Sequence, residues 1–441
     1  MQTTVLAHTF GERYELPIPL YLFVLSGVAV VVLSFVLVLR RDAAVPAETV
    51  AADTVPRTSL SPVPALVSVA VALLVAVVGL TGTQEVSANI APTFFWLLMW
   101  IAVPLSCGVL GDWTRSVNPF ANLARLGDDP GLRKAVLARK KPLEWTVGSW
   151  PALGLFVLLV LGELVFNADT VQPAFVGAML IGYGIASLFL GLLFGPSWLE
   201  RGEVFSALYN TWGRQGFWRF GAPGRQGFGG GLDVPVEARP SRVLFLLLLL
   251  ISINFDGLLA TPKWQDYERR TYGGSADRLD LFRTLSLAGL VLVTLLVFGA
   301  FAVASARRGR HGTSSVQALA GLVPSLVPIA FGYLIAHNLQ YLMVNLQSLV
   351  PLVQNPGYGD TSTSFTVNTG ILPARVNWYV SLVVIVAVHV IAVVIAHRHL
   401  TRKAEDEKAA FQSELPWLLA MVAYTVFSLY LIAQPLVEGS A

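Results

Sequence analysis

Long apolar runs separated by short polar stretches are the dominant pattern in this chain. A bilayer core of about 30 Å takes roughly 20 apolar residues in a helix. Ten stretches reach that length, at about 17–39, 63–82, 92–111, 151–168, 173–198, 243–261, 281–306, 315–353, 376–396 and 414–435. The pattern predicts an all-α, polytopic membrane bundle of about ten transmembrane helices. It forms a single transmembrane domain over residues 1–441, with 112–150 and 199–242 as cytoplasmic loops. The eighth run is too long for one straight crossing. Pro324 and Pro328 each remove a backbone donor within it, so it is either one kinked span or a span followed by a surface helix.

Composition agrees with the pattern. The chain has 441 residues, 55% hydrophobic and 13% charged, with a mean hydropathy of +0.65. Soluble domains run near 25% charged, so lipid is the expected solvent. The single cysteine, Cys107, excludes a disulfide framework, a Cys-rich zinc site and an iron–sulfur cluster.

The position of charge sets the orientation. Of 30 Lys and Arg, 23 fall in the alternate loops 40–62, 112–150, 199–242, 307–314 and 397–413. Positive charge marks the cytoplasmic side, which places the chain in the cell membrane with both termini outside. The same distribution makes the basic residues topology signals and argues against a nucleic-acid partner. The first sixteen residues carry Glu12, Arg13 and Glu15 and do not read as a secretory signal. In the 199–242 loop, Gly213-Arg214-Gln215-Gly216-Phe217 recurs as Gly224-Arg225-Gln226-Gly227-Phe228. That glycine density predicts a flexible loop. It is not a phosphate loop, because the Gly-Lys-Ser/Thr ending is absent.

Ionisable groups inside lipid cost several kcal/mol and usually face a bundle interior or cavity. Four remain within the spans: Glu163, Asp256, His337 and His389. With the N-terminus outside they fall in the middle or outer parts of their helices, which predicts one outward-facing pocket. Tyr333, Gln340 and Tyr341 share a helix face with His337, and Asn338 adds an amide. Asn254 stands two residues before Asp256. Gly257 and Pro262 weaken that helix end, a common place for a membrane binding site. A bland reading stands beside each. Glu163 snorkels, Asp256 caps its helix or pairs with Arg269 or Arg270, and each histidine bonds a neighbouring carbonyl or hydroxyl. His397 and His399, beside Arg398, read as interfacial residues. His8 lies outside the membrane and can close over the pocket.

Three chemistries use such a set. Two imidazoles with carboxylates are ligands for a divalent metal, held by His337, His389, Asp256 and His8, and a metal-bound water would hydrolyse an ester. Glu163 and Asp256 are then the candidate catalytic acids or bases. The same groups can bind and release a proton or cation in transport. One bis-histidine haem b between His337 and His389 is the third.

The segments AHTFGERYELPIPLYLF (7–23), GDWTRSVNPF (111–120), WPALGLFVLLVLGELVF (150–166), SWLERGEVFSALY (197–209), NFDGLLATPKW (254–264), LVPIAFGYLIAHNLQYLMVNLQ (326–347) and WYVSLVVIVAVHVIAVVIAH (378–397) carry a family resemblance. On them the chain resembles the fenitrothion hydrolase family of polytopic bacterial and archaeal membrane proteins. The resemblance implies cleavage of an organophosphate ester. It places His8, Arg13, Glu163, Asp256, His337 and His389 within family motifs but assigns none a catalytic role. Where other members read Ala-His-Gly, this chain has Ala7-His8-Thr9. The competing readings are a hydrolase with a metal in an outward His/Asp/Glu pocket, a permease for a small solute or metal ion, and a haem-bearing redox subunit. All have the lipid bilayer as a partner and Asn254, Tyr333, Asn338, Gln340 and Tyr341 as pocket lining.

Overall fold

A computed structural model describes residues 20–39, 62–220, 227–357 and 365–437. The described residues are helical throughout, with no strand among them. In chain order the helices are α1 (Leu20–Leu39), α2 (Pro62–Thr81), α3 (Ile90–Leu110), α4 (Pro119–Gly127), α5 (Pro130–Leu137), α6 (Trp150–Leu164), α7 (Pro173–Phe194), α8 (Pro196–Arg201) and α9 (Val204–Gly213). Then follow α10 (Pro240–Leu259), α11 (Pro262–Tyr272), α12 (Ala276–Arg308), α13 (Ser315–Leu322), α14 (Val327–Asn345), α15 (Leu349–Gln354), α16 (Ala374–Lys403) and α17 (Glu407–Val437).

Among the described residues, eight stretches are long and apolar enough to cross a membrane, as in a multi-pass membrane protein: α2, α3, α7, α10, α12, the broken rod Ser315–Gln354, α16 and α17. The count differs from ten at two places. α6 is apolar but only 15 residues long, because Val165 and Phe166 leave the helix before Glu163 is a full turn from its end. α1 is a 20-residue apolar helix but is not among the eight.

Local sequence explains most boundaries. Pro62, Pro119, Pro130, Pro173, Pro196, Pro240 and Pro262 each open a helix, where a missing N–H costs nothing. Asn118 and Asp129 accept from first-turn amides of α4 and α5, and Ser314 and Gln317 form a capping box on α13. The long eighth run breaks where its prolines stand. A 3₁₀ turn over Val323–Leu326 separates α13 from α14, and a second over Leu346–Ser348 precedes α15. Within α3, Thr93–Ala102 is wound as a wide π turn, and the Val103 amide reaches back five residues to Leu98 O.

The chain folds as two compact units. One comprises residues 1–52, 231–341 and 372–441, the other 53–230 and 342–371. In the first, α12 packs along α17, α1 packs on α16 and α17, and α10 packs on α12. Trp417 of α17 is fully buried and donates to Ser325 Oγ at 3.1 Å, tying α17 to the proline turn. Gly332 lets α14 approach Val388 of α16.

In the second unit, small residues let helices cross at backbone contact. A Cβ on Gly177 of α7 would meet Ala76 O of α2 at 2.6 Å, and one on Gly191 would meet Ala124 Cα of α4 at the same distance. The first copy of the glycine repeat is not the flexible loop expected. Phe217 and Trp218 amides donate to Val109 O and Leu110 O at 3.0 and 2.8 Å, and a Cβ on Gly216 would meet Gly111 Cα at 2.5 Å. Its glycines serve close packing, and part of the second copy lies outside the described residues.

Candidate functional site

Three of the four expected membrane ionisable residues lie in the first unit. Asp256 is one turn from the end of α10, His337 is near the middle of α14, and His389 lies in α16. Glu163, on α6 and half-buried, belongs to the second unit.

Asp256 and His337 are brought together. His337 Nε2 lies 2.8 Å from Asp256 Oδ2, with side chains 8% and 17% exposed. The pair joins two membrane-length helices, and most of its surface is out of solvent. The alternative partners of Asp256 are engaged elsewhere, since Arg269 and Arg270 pair with Asp266 at 3.7 and 2.7 Å. Trp264 and Tyr267 lie nearby, on α11. They pack on Phe282, and Trp264 shares the buried carboxylate of Glu268 with Arg283.

The surroundings of the pair are polar and aromatic. The Tyr333 ring stacks on His337 with centroids 6.1 Å apart. Its hydroxyl is buried without a hydrogen-bond partner among the described residues and lies against Gly257, where a methyl group would collide with it. Asn254 Nδ2 donates to Leu250 O at 2.8 Å and also to the Tyr424 hydroxyl of α17. Of the expected lining, Asn338 turns inward to Leu334 O at 3.1 Å. Gln340 and Tyr341 sit half-buried on the following turn.

The proximity of Tyr333 to Gly257 sets up a double-variant test. Gly257→Ala is expected to destabilise the protein by about 1–3 kcal/mol through overpacking. Tyr333→Phe, which removes the opposing hydroxyl, is expected to recover part of that loss in the double variant. Thermal melts of the four proteins measure the coupling.

His389 is 2% exposed. Its Nδ1 donates to Ile385 O at 2.7 Å, since a carbonyl can only accept, and this leaves Nε2 as a bare acceptor. That nitrogen has no partner among the described residues. Such a tautomer suits a metal ligand, but no group of three His, Cys, Asp or Glu side chains among the described residues could hold a metal ion. His337, His389 and Asp256 therefore do not form such a group among the described residues. His8 lies outside the described residues.

A second His–carboxylate pair was not expected. His397 Nδ1 of α16 lies 3.0 Å from Glu414 Oε1 of α17, both buried. Glu414 stands at the edge of its apolar run, where it looks like a helix-end charge, and His397 looks like an interface residue. Burial by the neighbouring helix changes both readings.

The second unit holds another buried carboxylate, in a stretch the sequence reads as a cytoplasmic loop. Glu203 is 0% exposed. It caps α9 through the Phe205 and Ser206 amides at 3.1 and 2.6 Å. It also accepts from Asn118 Nδ2 at 2.9 Å and the Tyr183 hydroxyl at 2.7 Å. Every one of these partners is a donor, so this is a satisfied structural anion.

Comparison with known proteins finds no match: no family model, no curated protein and no solved structure corresponds to the chain.

Proposed function

We propose that this multi-pass membrane protein is a permease that couples movement of a small solute or cation to protonation of the Asp256–His337 pair. The observation that carries the reading is a carboxylate and an imidazole in contact across two membrane-length helices, largely removed from water. Ionisable groups persist in such places chiefly as ion or proton sites. His389, with one ring nitrogen unpartnered, and the His397–Glu414 pair place further proton-accepting groups in the same unit. In this reading the membrane is the cell membrane, and the pair faces outward.

A hydrolase, as the resemblance to the fenitrothion hydrolase family implies, draws support from one feature. An imidazole oriented by a carboxylate is the base half of a hydrolytic set. It lacks an assembled metal group among the described residues, so transport stands first.

One preparation separates the two. Protein reconstituted in vesicles is given a membrane potential with sodium, manganese or zinc outside, and proton uptake is followed by a pH dye inside. Uptake is expected to exceed that of empty vesicles for at least one cation. Asp256→Asn and His337→Gln are each expected to lower it at least about tenfold, with the melting temperature near that of the parent. Uptake no different from empty vesicles under all conditions would sink the permease. Cleavage of a p-nitrophenyl dialkyl phosphotriester that is lost in His337→Gln would install the hydrolase instead.

A further inference from the structure

At the far end of α16 from Asn377, a cavity of about 190 Å³ opens within the first unit. Its polar lining is His311, Thr313, Gln317, His399 and Lys403, and no acidic side chain lines it. Ala302, Ala306, Ala320 and Leu322 form much of the apolar wall. The Nε2 edges of the His311 and His399 rings lie against Gly309 and Gly321, where any side chain would collide with them. These two glycines therefore make room for the two imidazoles.

Two of the cavity's polar atoms have no partner in the fold. His311 Nε2 and Thr313 Oγ1 are shielded from solvent and have no hydrogen-bond partner among the described residues. Buried polar atoms are nearly always paired, so such exceptions call for a ligand or water. Nearby acids are already neutralised. Asp233 is held by Arg398 and Arg402, Glu237 by Arg239, and Glu405 by Arg310. Lys403 makes no ion pair among the described residues. Burial, and then the Lys403 ammonium, hold the His311 imidazole below its usual pKa range. The cavity thus presents one free cation and several neutral polar groups, which suits a monoanion.

Size and position narrow the class. Drug-sized ligands occupy about 300–1,000 Å³, so this space takes a headgroup-sized moiety. It lies at helix ends, beside Arg307 and Arg308 of α12 and Arg402 and Lys403 of α16. Such basic ends mark the headgroup level of a bilayer. We propose that the cavity binds the phosphodiester headgroup of a membrane phospholipid, with Lys403 pairing the phosphate and Thr313 and His311 donating to its oxygens.

The test uses the full chain in detergent, with lipid retention read by native mass spectrometry and stability by thermal melt. The probes are phosphatidylglycerol, diacylglycerol and inorganic phosphate. Phosphatidylglycerol is expected to be retained and diacylglycerol not. Lys403→Ala with Thr313→Val is expected to weaken retention about tenfold, the size of one charge-assisted bond, while the protein still melts cooperatively. Ala302→Leu, which fills the cavity without touching a polar group, is expected to do the same. Retention unchanged in both variants, or equal retention of diacylglycerol, overturns the site. Stabilisation by inorganic phosphate without a lipid adduct overturns the lipid source and assigns the cavity to free phosphate.

Discussion

Glu203→Ala is expected to destabilise the second unit by about 3–5 kcal/mol, a loss of roughly 10 °C in melting temperature. The size follows from what the carboxylate holds. Its two oxygens each accept one backbone amide of α9, from Phe205 and Ser206. They also accept from Tyr183 on α7 and from Asn118. Asn118 cannot turn away to compensate, because its own oxygen already caps α4 through Phe120 and Ala121. Removing one side chain therefore strands donors at two helix starts, all within protein. Glu203→Gln separates charge from shape. Whichever oxygen becomes the NH₂ group faces a backbone N–H, so one cap bond is lost in either rotamer. A milder loss of about 1–3 kcal/mol is expected. A glutamine variant as unstable as the alanine variant, or an alanine variant that melts with the parent, would contradict this account.

Gly191→Val is expected to be the most damaging single change within a span, and Gly182→Ala on the same helix to be harmless. At Gly191 an added Cβ meets the Ala124 Cα and carbonyl carbon of α4 at 2.6 and 2.7 Å. Backbone cannot rotate aside as a side chain can, so the α4–α7 crossing itself must open. A cost of about 3 kcal/mol or more is expected. At Gly182 nothing lies within 4 Å. There alanine gains helix propensity of about 0.5–1 kcal/mol relative to glycine. The comparison holds helix, starting residue and membrane constant. Melting or detergent-resistance curves of the two variants should therefore separate widely, and similar curves would refute the contact.

What could be read in advance depended on whether the cause was local. Apolar run length is local, and α2, α3, α7 and α10 lie within four residues of their expected spans at both ends. Proline breaks are local too, and the 3₁₀ turn falls over Pro324. Asp256 and His337 stood out because charge is rare in such runs, although their pairing depends on a partner 81 positions away. Glu203 and Arg133 were invisible because they sit in polar loops, where charge is ordinary. Arg133 is buried because its guanidinium pairs with Asp128 and donates to the carbonyls of Leu192 and Gly191 at the end of α7. Likewise the glycine repeat looked pliable because nothing near it in sequence shows that Gly111 and Asp112 pack on it.

The interleaving of the two units has a consequence for biogenesis. α1 leaves the ribosome well before the helices it packs on, α16 and α17, which begin at Ala374 and Glu407. At translation rates of about 5–20 residues per second, its partners arrive roughly 20–70 seconds later. Most of the second unit lies between them as the continuous stretch 53–230 and can assemble during that interval. Until then α1 lacks the two helices it packs on. Its sequence suits that wait, since LYLFVLSGVAVVVLSFVLVL carries no charge at all.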